Sequence, residues 1–242
     1  MHMHTTIFYL SCILLAIGSF IPITSAQVNV TNTVVVADTV LVWEAQTYTP
    51  PFYKGKALLP DGGDVRILAF PPTDLGSPYG LSYTWRVDGT VIPEASGIGR
   101  SVFMHRSDMF GGSPLIVVDV SLDGKQASTG AIRVPLIKPR VLLYPSLPLA
   151  GILFSQHVGA TEGDEVSLEA YPLFFSVKSK ADPALSFRWE VDGVPAQNPL
   201  GNSGRLILRS ETGGTAALKL TIHNEQNILE AADGTITLRF EE

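Results

Sequence analysis

The chain has 242 residues, of which 45% are hydrophobic and 17% are charged, and it contains 22 glycines and 17 prolines. This composition excludes an intrinsically disordered chain, because disorder requires fewer apolar residues and more charge. The formal net charge is −6, and Lys and Arg form no cluster. A phosphate backbone is therefore not expected as a ligand, and we predict no nucleic acid partner.

Residues 1–26 have the pattern of a secretory signal peptide. The run 7–23 is almost wholly apolar, and the small residues Thr24 and Ala26 precede Gln27. The alternative is an uncleaved anchor, which would be the chain's only membrane contact, although the run is short for a bilayer. Both readings place the remaining chain outside the cytoplasm, as a secreted, periplasmic or cell-surface protein.

The only cysteine, Cys12, belongs to this leader. The mature protein is therefore predicted to have neither a disulfide nor a thiolate site. Its domains must be stabilised by packing alone.

The rest of the chain contains an internal repeat. Five segments recur in the same order at offsets between 101 and 105 residues, as differences of their first residue numbers show. They are 65–71 with 166–172, 81–89 with 185–193, 99–103 with 204–208, 118–120 with 220–222, and 130–134 with 234–238. Five ordered matches at nearly one offset indicate a duplicated domain.

The repeated segments have the period of β-strands. Val166, Leu168 and Ala170, for example, alternate with polar residues, as in a strand with one buried face. Gly- and Pro-rich turns separate the segments, and residues 224–232 could form at most a short helical turn. We therefore predict an all-β fold of two tandem immunoglobulin-like antiparallel β-sandwiches, at 27–136 and 137–242, each close to the usual size of about 100 residues.

Two motifs of the same form stand in the second repeated segment. They are Tyr83-x-Trp85-x-x-Asp88-Gly89 and Phe187-x-Trp189-x-x-Asp192-Gly193. The chain here resembles bacterial immunoglobulin-like and PKD-like tandem repeat domains. That resemblance implies that Trp85 and Trp189 are the core tryptophans of the third strand of each sandwich.

A second resemblance covers nearly the whole mature chain. The sequence is similar to a group of uncharacterised exported two-domain proteins of ultra-small (candidate phyla) bacteria. The residues that carry this similarity are Trp43-Glu44-Ala45, residues 48–56 and the two tryptophan motifs. This resemblance implies export and brings no activity with it.

Residues 43–56 are the most unusual segment in composition. They include the candidate binding residues Trp43, Tyr48, Pro50, Pro51, Phe52 and Tyr53. Aromatic rings beside two prolines could form a stiff recognition surface. The alternative is that the segment is the first strand and crossing loop of the first domain, with its aromatic residues buried.

The remaining polar motifs favour structural roles. The acidic groups at 61–64 and 162–165 have too few oxygens at fixed spacing for a calcium loop, and both precede a strand, so tight turns are the favoured reading. The histidines of the mature chain, His105, His157 and His223, have no metal-binding spacing. We predict no catalytic residues, no metal and no cofactor.

The sequence therefore favours a non-catalytic, extracytoplasmic protein. We expect it to act as an adhesion, spacer or protein-assembly module whose partner is an envelope or cell-surface protein. The alternative is a carbohydrate-binding module that stacks a polysaccharide on exposed rings such as Phe52, Tyr53 or Tyr79.

Overall fold

The computed structural model describes residues 39–147, 151–152, 157–198 and 200–241. The predicted signal peptide, residues 1–26, lies outside the described residues. None of the helices within these ranges has the length and apolar character needed to cross a membrane.

Strands make up nearly all of the regular structure, and only two short 3₁₀-helices, Thr73–Leu75 and Pro93–Ala95, occur in the described residues. The first half contains β1 (Val40–Ala45), β2 (Asp64–Phe70), β3 (Ser82–Val87), β4 (Thr90–Val91), β5 (Gly97–Ile98), β6 (Val102–Arg106), β7 (Leu115–Leu122) and β8 (Lys125–Arg133). The second half contains β9 (Arg140–Leu147), β10 (Gly151–Ile152), β11 (His157–Thr161), β12 (Glu165–Leu173), β13 (Leu185–Val191), β14 (Val194–Pro195), β15 (Arg205–Arg209), β16 (Gly214–Asn224) and β17 (Asn227–Glu241).

Each half is a sandwich of two sheets. In the first, the sheet β1-β2-β6 faces the sheet β4-β3-β7-β8, with β5 on the edge of β3. In the second, β10-β9-β12-β15 faces β11-β17-β16-β13-β14. In both halves the chain crosses from the first sheet to the second, returns for one strand (β6 or β15) and crosses back, as in an immunoglobulin-like sandwich. The second half has in addition β11, parallel to β17, where the described residues of the first half have only a bridge between Leu59 and Leu136. The predicted all-β class and the two tandem sandwiches are confirmed.

The two sandwiches have separate hydrophobic cores. Trp85 and Trp189 lie at corresponding points of these cores and are 0% and 2% exposed. The indole Nε1 of Trp85 donates to the Arg100 carbonyl at 2.8 Å, and that of Trp189 donates to the Ser203 carbonyl at 3.0 Å. Each tryptophan therefore fills its core and satisfies its one polar group across the sandwich.

The Asp-Gly pairs after these tryptophans form matching turns. Asp88 and Asp192 both have a φ of 48°, and the glycines that follow also have positive φ, as a type I′ turn requires. The Asp88 carboxylate accepts the Leu115 N–H at 3.0 Å, and the Asp192 carboxylate accepts the Ala217 N–H at 2.8 Å. Aspartate thus shapes the turn and also caps the neighbouring strand.

One repeat match needs a correction. The sequence matches segment 99–103 with 204–208 at an offset of 105, but in the structure Phe103 is paired with Ile67 where Leu206 is paired with Leu168. The structural offset of this strand is therefore 206 − 103 = 103. The two alignments differ by two residues, which keeps the same side chains on the inner face, so alternation alone could not distinguish them.

The short helical turn considered for residues 224–232 is also absent. These residues form a β-hairpin in which Asn224, at the end of β16, pairs with Asn227, at the start of β17. The Glu225 N–H donates to the Ala184 carbonyl at 2.8 Å. A hydrogen bond to a neighbouring loop thus supports a hairpin where the local sequence has only a weak preference.

Two equivalent glycines allow the first strand of each sandwich to cross the last one. A Cβ atom on Gly130 would lie 2.5 Å from the Thr39 carbonyl oxygen, and one on Gly234 would lie 2.8 Å from Cγ1 of Val141. Gly130 and Gly234 are opposite Val118 and Leu220, which are themselves equivalent. The repeat has therefore kept glycine where the backbone or side chains approach most closely.

We predict that Gly130→Ala lowers the free energy of unfolding by about 1–3 kcal/mol, because its new methyl group collides with backbone. Gly234→Ala should cost less, since the Val141 side chain can move aside. Gly159→Ala is the matched control, because a Cβ there meets nothing within 4 Å. Urea denaturation measures all three, and equal midpoints for Gly130→Ala and Gly159→Ala would refute the steric explanation.

Candidate functional site

The segment between β1 and β2, residues 46–58, crosses from the first sandwich to the second, and we call it the strap. Trp43 precedes the strap in β1 and is 8% exposed in the core of the first sandwich. The ammonium group of Lys56 lies 3.5 Å from the centroid of the Trp43 ring. The strap is therefore tied at both ends to the first sandwich.

Backbone hydrogen bonds attach the strap to the second sandwich. The Tyr48 N–H donates to the Phe175 carbonyl at 2.8 Å, and the Phe174 N–H donates to the Tyr48 carbonyl at 3.0 Å. Phe174 has a φ of 65°, which is unfavourable for a residue with a Cβ atom. The buried position of its ring, 3% exposed, supplies the packing that offsets this strain.

Aromatic side chains of the strap cover the same region. Tyr48 packs against the core of the second sandwich. The Phe52 ring meets the rings of Tyr144 and Tyr171 edge-on, with centroid distances of 5.7 and 5.0 Å. The Tyr53 ring meets that of Phe174 in the same way at 5.6 Å. These are the favourable edge-to-face arrangements of aromatic pairs.

The structure thus places the six candidate binding residues in different surroundings. Trp43 belongs to the first core, whereas Tyr48, Phe52 and Tyr53 contact the second sandwich; Pro50 is buried and Pro51 is exposed. Their predicted role in binding another molecule stays a prediction. Sequence reasoning did not identify the second sandwich as the surface that these rings contact. A usable signal was the outward position of Tyr144 and Tyr171 on their strands.

A buried polar cluster lies beside the strap. Glu230 is 1% exposed, and its carboxylate accepts N–H groups from the Ser176 backbone, Asn224 and Asn227, each at 2.8 Å. The Asn227 amide also donates to the Asp61 carbonyl of the first sandwich at 3.0 Å. Glu230 therefore orients the amide that links the two sandwiches.

The acidic groups considered for calcium form turns. Gly62 and Gly163 have φ values of 70° and 82°, and backbone hydrogen bonds from Gly63 to Pro60 and from Asp164 to Thr161 close the loops. Within the ranges that the structure describes, groups of three or more His, Cys, Asp or Glu side chains that could hold a metal are not found. His105 and His223 lie in different sandwiches, on β6 and β16.

Comparison with protein-family models and with curated proteins finds no match. Among solved structures, the chain is similar to three N-terminal domains of the Highly Immunogenic Outer Capsid protein (Hoc) of bacteriophage RB49. The identity is 15%, the match covers 84% of this chain and 59% of that chain, and the TM-score is 0.43. This chain thus spans about three fifths of the capsid protein structure that it matches.

Two further similarities are weaker. The mouse nectin-like molecule 4 ectodomain is 11% identical over 84% of this chain and 65% of that chain, with a TM-score of 0.30. The fibronectin(III)-like modules of Clostridium thermocellum CbhA are 12% identical over 82% of this chain and 93% of that chain, with a TM-score of 0.27. The resemblance to exported proteins of ultra-small bacteria stays a prediction, and the immunoglobulin-like assignment depends on the sheet topology.

We predict that Glu230→Gln destabilises the protein although it preserves the shape of the side chain. The three groups around the carboxylate are all donors, so an amide NH₂ would face another donor and leave buried groups unpaired, at a cost of about 1–3 kcal/mol. Urea denaturation measures the change. Glu225→Gln, at an exposed position of the same hairpin, is the control and should have almost no effect.

A second prediction concerns alkaline pH. Burial, followed by the neighbouring Tyr171 and Glu169, raises the pKa of Tyr48 above its usual value of 10.0. The folded state therefore holds the Tyr48 proton more tightly than the unfolded state. This contribution to stability is present below pH 10 and is lost as pH rises through the folded pKa.

The free energy of unfolding should thus fall as the pH rises above 10, and it should fall less in Tyr48→Phe, which has no phenol to ionise. Burial also raises the pKa of Tyr83 and Tyr144, so part of the decrease will remain. Urea titrations of both proteins across this range test the prediction. Parallel curves would show that Tyr48 does not contribute.

Proposed function

We propose that this protein is a non-catalytic extracytoplasmic module for adhesion, spacing or protein assembly, which holds its binding surfaces in a fixed relative orientation. The observation that carries the proposal is the docking of the strap on the second sandwich. Domains in tandem usually move relative to each other unless their interface is large and hydrophobic. Here a backbone bridge, packed rings and the amide of Asn227 join them.

The contacts between the two sandwiches favour a spacer of fixed shape over two domains that move independently. The strap begins and ends in the first sandwich, so its attachment to Phe174 and Phe175 restrains two chain segments at once. The Asn227–Asp61 hydrogen bond lies at a separate point of the interface. Contacts at separate points resist both bending and twisting, whereas a single linker resists neither.

We assign the protein to the outside of the cytoplasm from its predicted leader, and we expect an envelope or cell-surface protein as its partner. Exposed strand edges and end loops of the sandwiches are suitable binding places, since an edge strand can pair with a strand of another protein. Membrane attachment would occur through residues 1–26 if they are not cleaved.

The carbohydrate-binding alternative is less well supported by the positions of the three rings proposed for it. Phe52 and Tyr53 are half-buried and meet other rings edge-on, so their faces do not form one open platform. Tyr79 is 83% exposed, but it lies in the loop between β2 and β3, away from the strap. A surface that binds a polysaccharide by stacking requires neighbouring ring faces that one sugar chain can contact at the same time.

We predict that the two sandwiches keep a fixed distance in solution. Because Cys12 is the only cysteine, spin labels can be placed on the mature protein by Lys125→Cys and Glu211→Cys, at exposed positions of the first and second sandwich. Electron–electron resonance should give one narrow distance distribution. Phe52→Ala with Tyr53→Ala should broaden it, and Tyr79→Ala should not; a broad wild-type distribution would contradict the spacer proposal.

The same variants test binding. Tagged wild-type protein should recover a defined set of envelope or surface proteins from the organism that produces it, compared with beads alone. If Phe52→Ala with Tyr53→Ala recovers the same set as wild type, the strap is not a binding site for the partner. If nothing is enriched by the wild type, the proposed envelope or cell-surface partner is wrong.

A further inference from the structure

The outward surface of the sheet β1-β2-β6 is unusually apolar. It consists of the outer face residues Val40, Val42, Leu68, Phe70, Val102 and Met104. Val40 is paired with Phe70, and Val42, Leu68 and Val102 form one row across the three strands. Five of these side chains are 41–59% exposed, and exposed apolar side chains that lie side by side on one face often mark an interaction site.

The corresponding outer face of the second sandwich is covered by another part of the chain. Tyr144 and Tyr171 occupy the positions of Val42 and Phe70, because β9 and β12 repeat the pairing of β1 and β2. Tyr144 is 8% exposed, since Phe52 of the strap covers it. An apolar outer face is therefore covered by an aromatic ring from another sandwich in one repeat and is open in the other.

A second apolar feature is the loop that follows β6. We call residues 107–114, between β6 and β7, the Phe110 loop. Phe110 is 90% exposed and the adjacent Met109 is 47% exposed. The loop is held at its base, because the Ser107 hydroxyl donates to the Pro60 carbonyl at 3.0 Å and Arg133 donates to the Ser113 carbonyl at 2.7 Å. It therefore presents two apolar side chains from a fixed base.

The charges next to these two features are complementary. Arg66 lies on the outward side of β2, beside Leu68, and Asp108 lies beside Met109. Among the described residues, no ion pair includes Arg66 or Asp108. An arginine at the edge of an apolar face and an aspartate next to an exposed phenylalanine can pair when the two surfaces meet.

We propose that the occupant of the outer face is the Phe110 loop of a second copy of this chain, with Phe110 packed on Val42 and Phe70, and Asp108 paired with Arg66. The proposal rests on the proposed assembly function and specifies its partner. The two surfaces are different, so the contact is heterologous. Each copy keeps one free face and one free loop, and the copies add head to tail.

The chemistry of the contact predicts a weak association. One phenylalanine and one methionine are buried, together with a single exposed ion pair, so the contact is much smaller than a standard protein interface. Such contacts become significant when many copies are held close together, as on a surface. The expected behaviour of the purified protein is reversible self-association that grows with concentration.

Sedimentation velocity of the full chain, purified after export, tests the proposal. The mean mass should rise with concentration and should not level off at a dimer. A face variant (Val42→Lys with Phe70→Ser) and a loop variant (Met109→Ser with Phe110→Ser) should each raise the dissociation constant at least about tenfold. Ile228→Ser, at a side chain that is 84% exposed in the second sandwich, is the control and should associate like wild type.

Mixing the two variants gives the most specific test. The face variant keeps its loop and the loop variant keeps its face, so an equimolar mixture should form a one-to-one complex and nothing larger. Arg66→Asp and Asp108→Arg should each weaken self-association, and the chain with both changes should recover it. Thermal unfolding of each variant, compared with wild type, shows whether its fold is intact; the loop variant changes only exposed loop side chains.

Three results would overturn the inference. The first is a wild type that stays monomeric up to about 1 mM. The second is loss of association in the face variant but not in the loop variant, which would indicate a symmetric face-to-face dimer. The third is a mixture that remains monomeric. None of them decides whether the protein binds envelope proteins, because that is measured separately by recovery from the envelope.

Discussion

The arrangement of the molecule depends on the short backbone bridge between Tyr48 and the residues Phe174 and Phe175. A loop that connects two strands of one sandwich is here paired with a loop of the other, and this pairing places the aromatic rings of the strap against the second sandwich. Without the bridge, the chain would be two immunoglobulin-like domains joined by a linker, and neither domain would restrict the orientation of the other. With it, the relative position of the sandwiches is part of the fold.

The two halves can be compared position by position because their strands pair in the same way, and the differences between them are informative. The tryptophans, the Asp-Gly turns and the crossing glycines Gly130 and Gly234 recur because each solves a packing or backbone problem inside one sandwich. The contacts of the strap belong to one half only, because Tyr48 is bonded to Phe174 and Phe175 and Phe52 meets Tyr144 and Tyr171. What is specific to this protein therefore lies where the repeats diverge: at the junction and on the open outer face.

Alternating apolar residues and Asp-Gly turns were sufficient to predict the strands and both sandwiches, because period-two burial is a local property of sequence. The register of β6 was not predictable, since a shift of two residues leaves the same side chains inside. Contacts between the two halves were also not predictable from the sequence. Nothing local connects Phe52 with Tyr144, or Glu230 with Ser176, and such pairs become visible only when distant loops are placed at one junction.

The strap also has a consequence for the order in which the chain can fold. Tyr48 is bonded to Phe174, a partner that is 174 − 48 = 126 residues later in the chain. Synthesis begins at the amino terminus, so the strap is made well before the surface that receives it. Until the second sandwich forms, three aromatic rings of the first remain open to solvent and to proteases. Folding of the second sandwich therefore covers the exposed aromatic rings of the first.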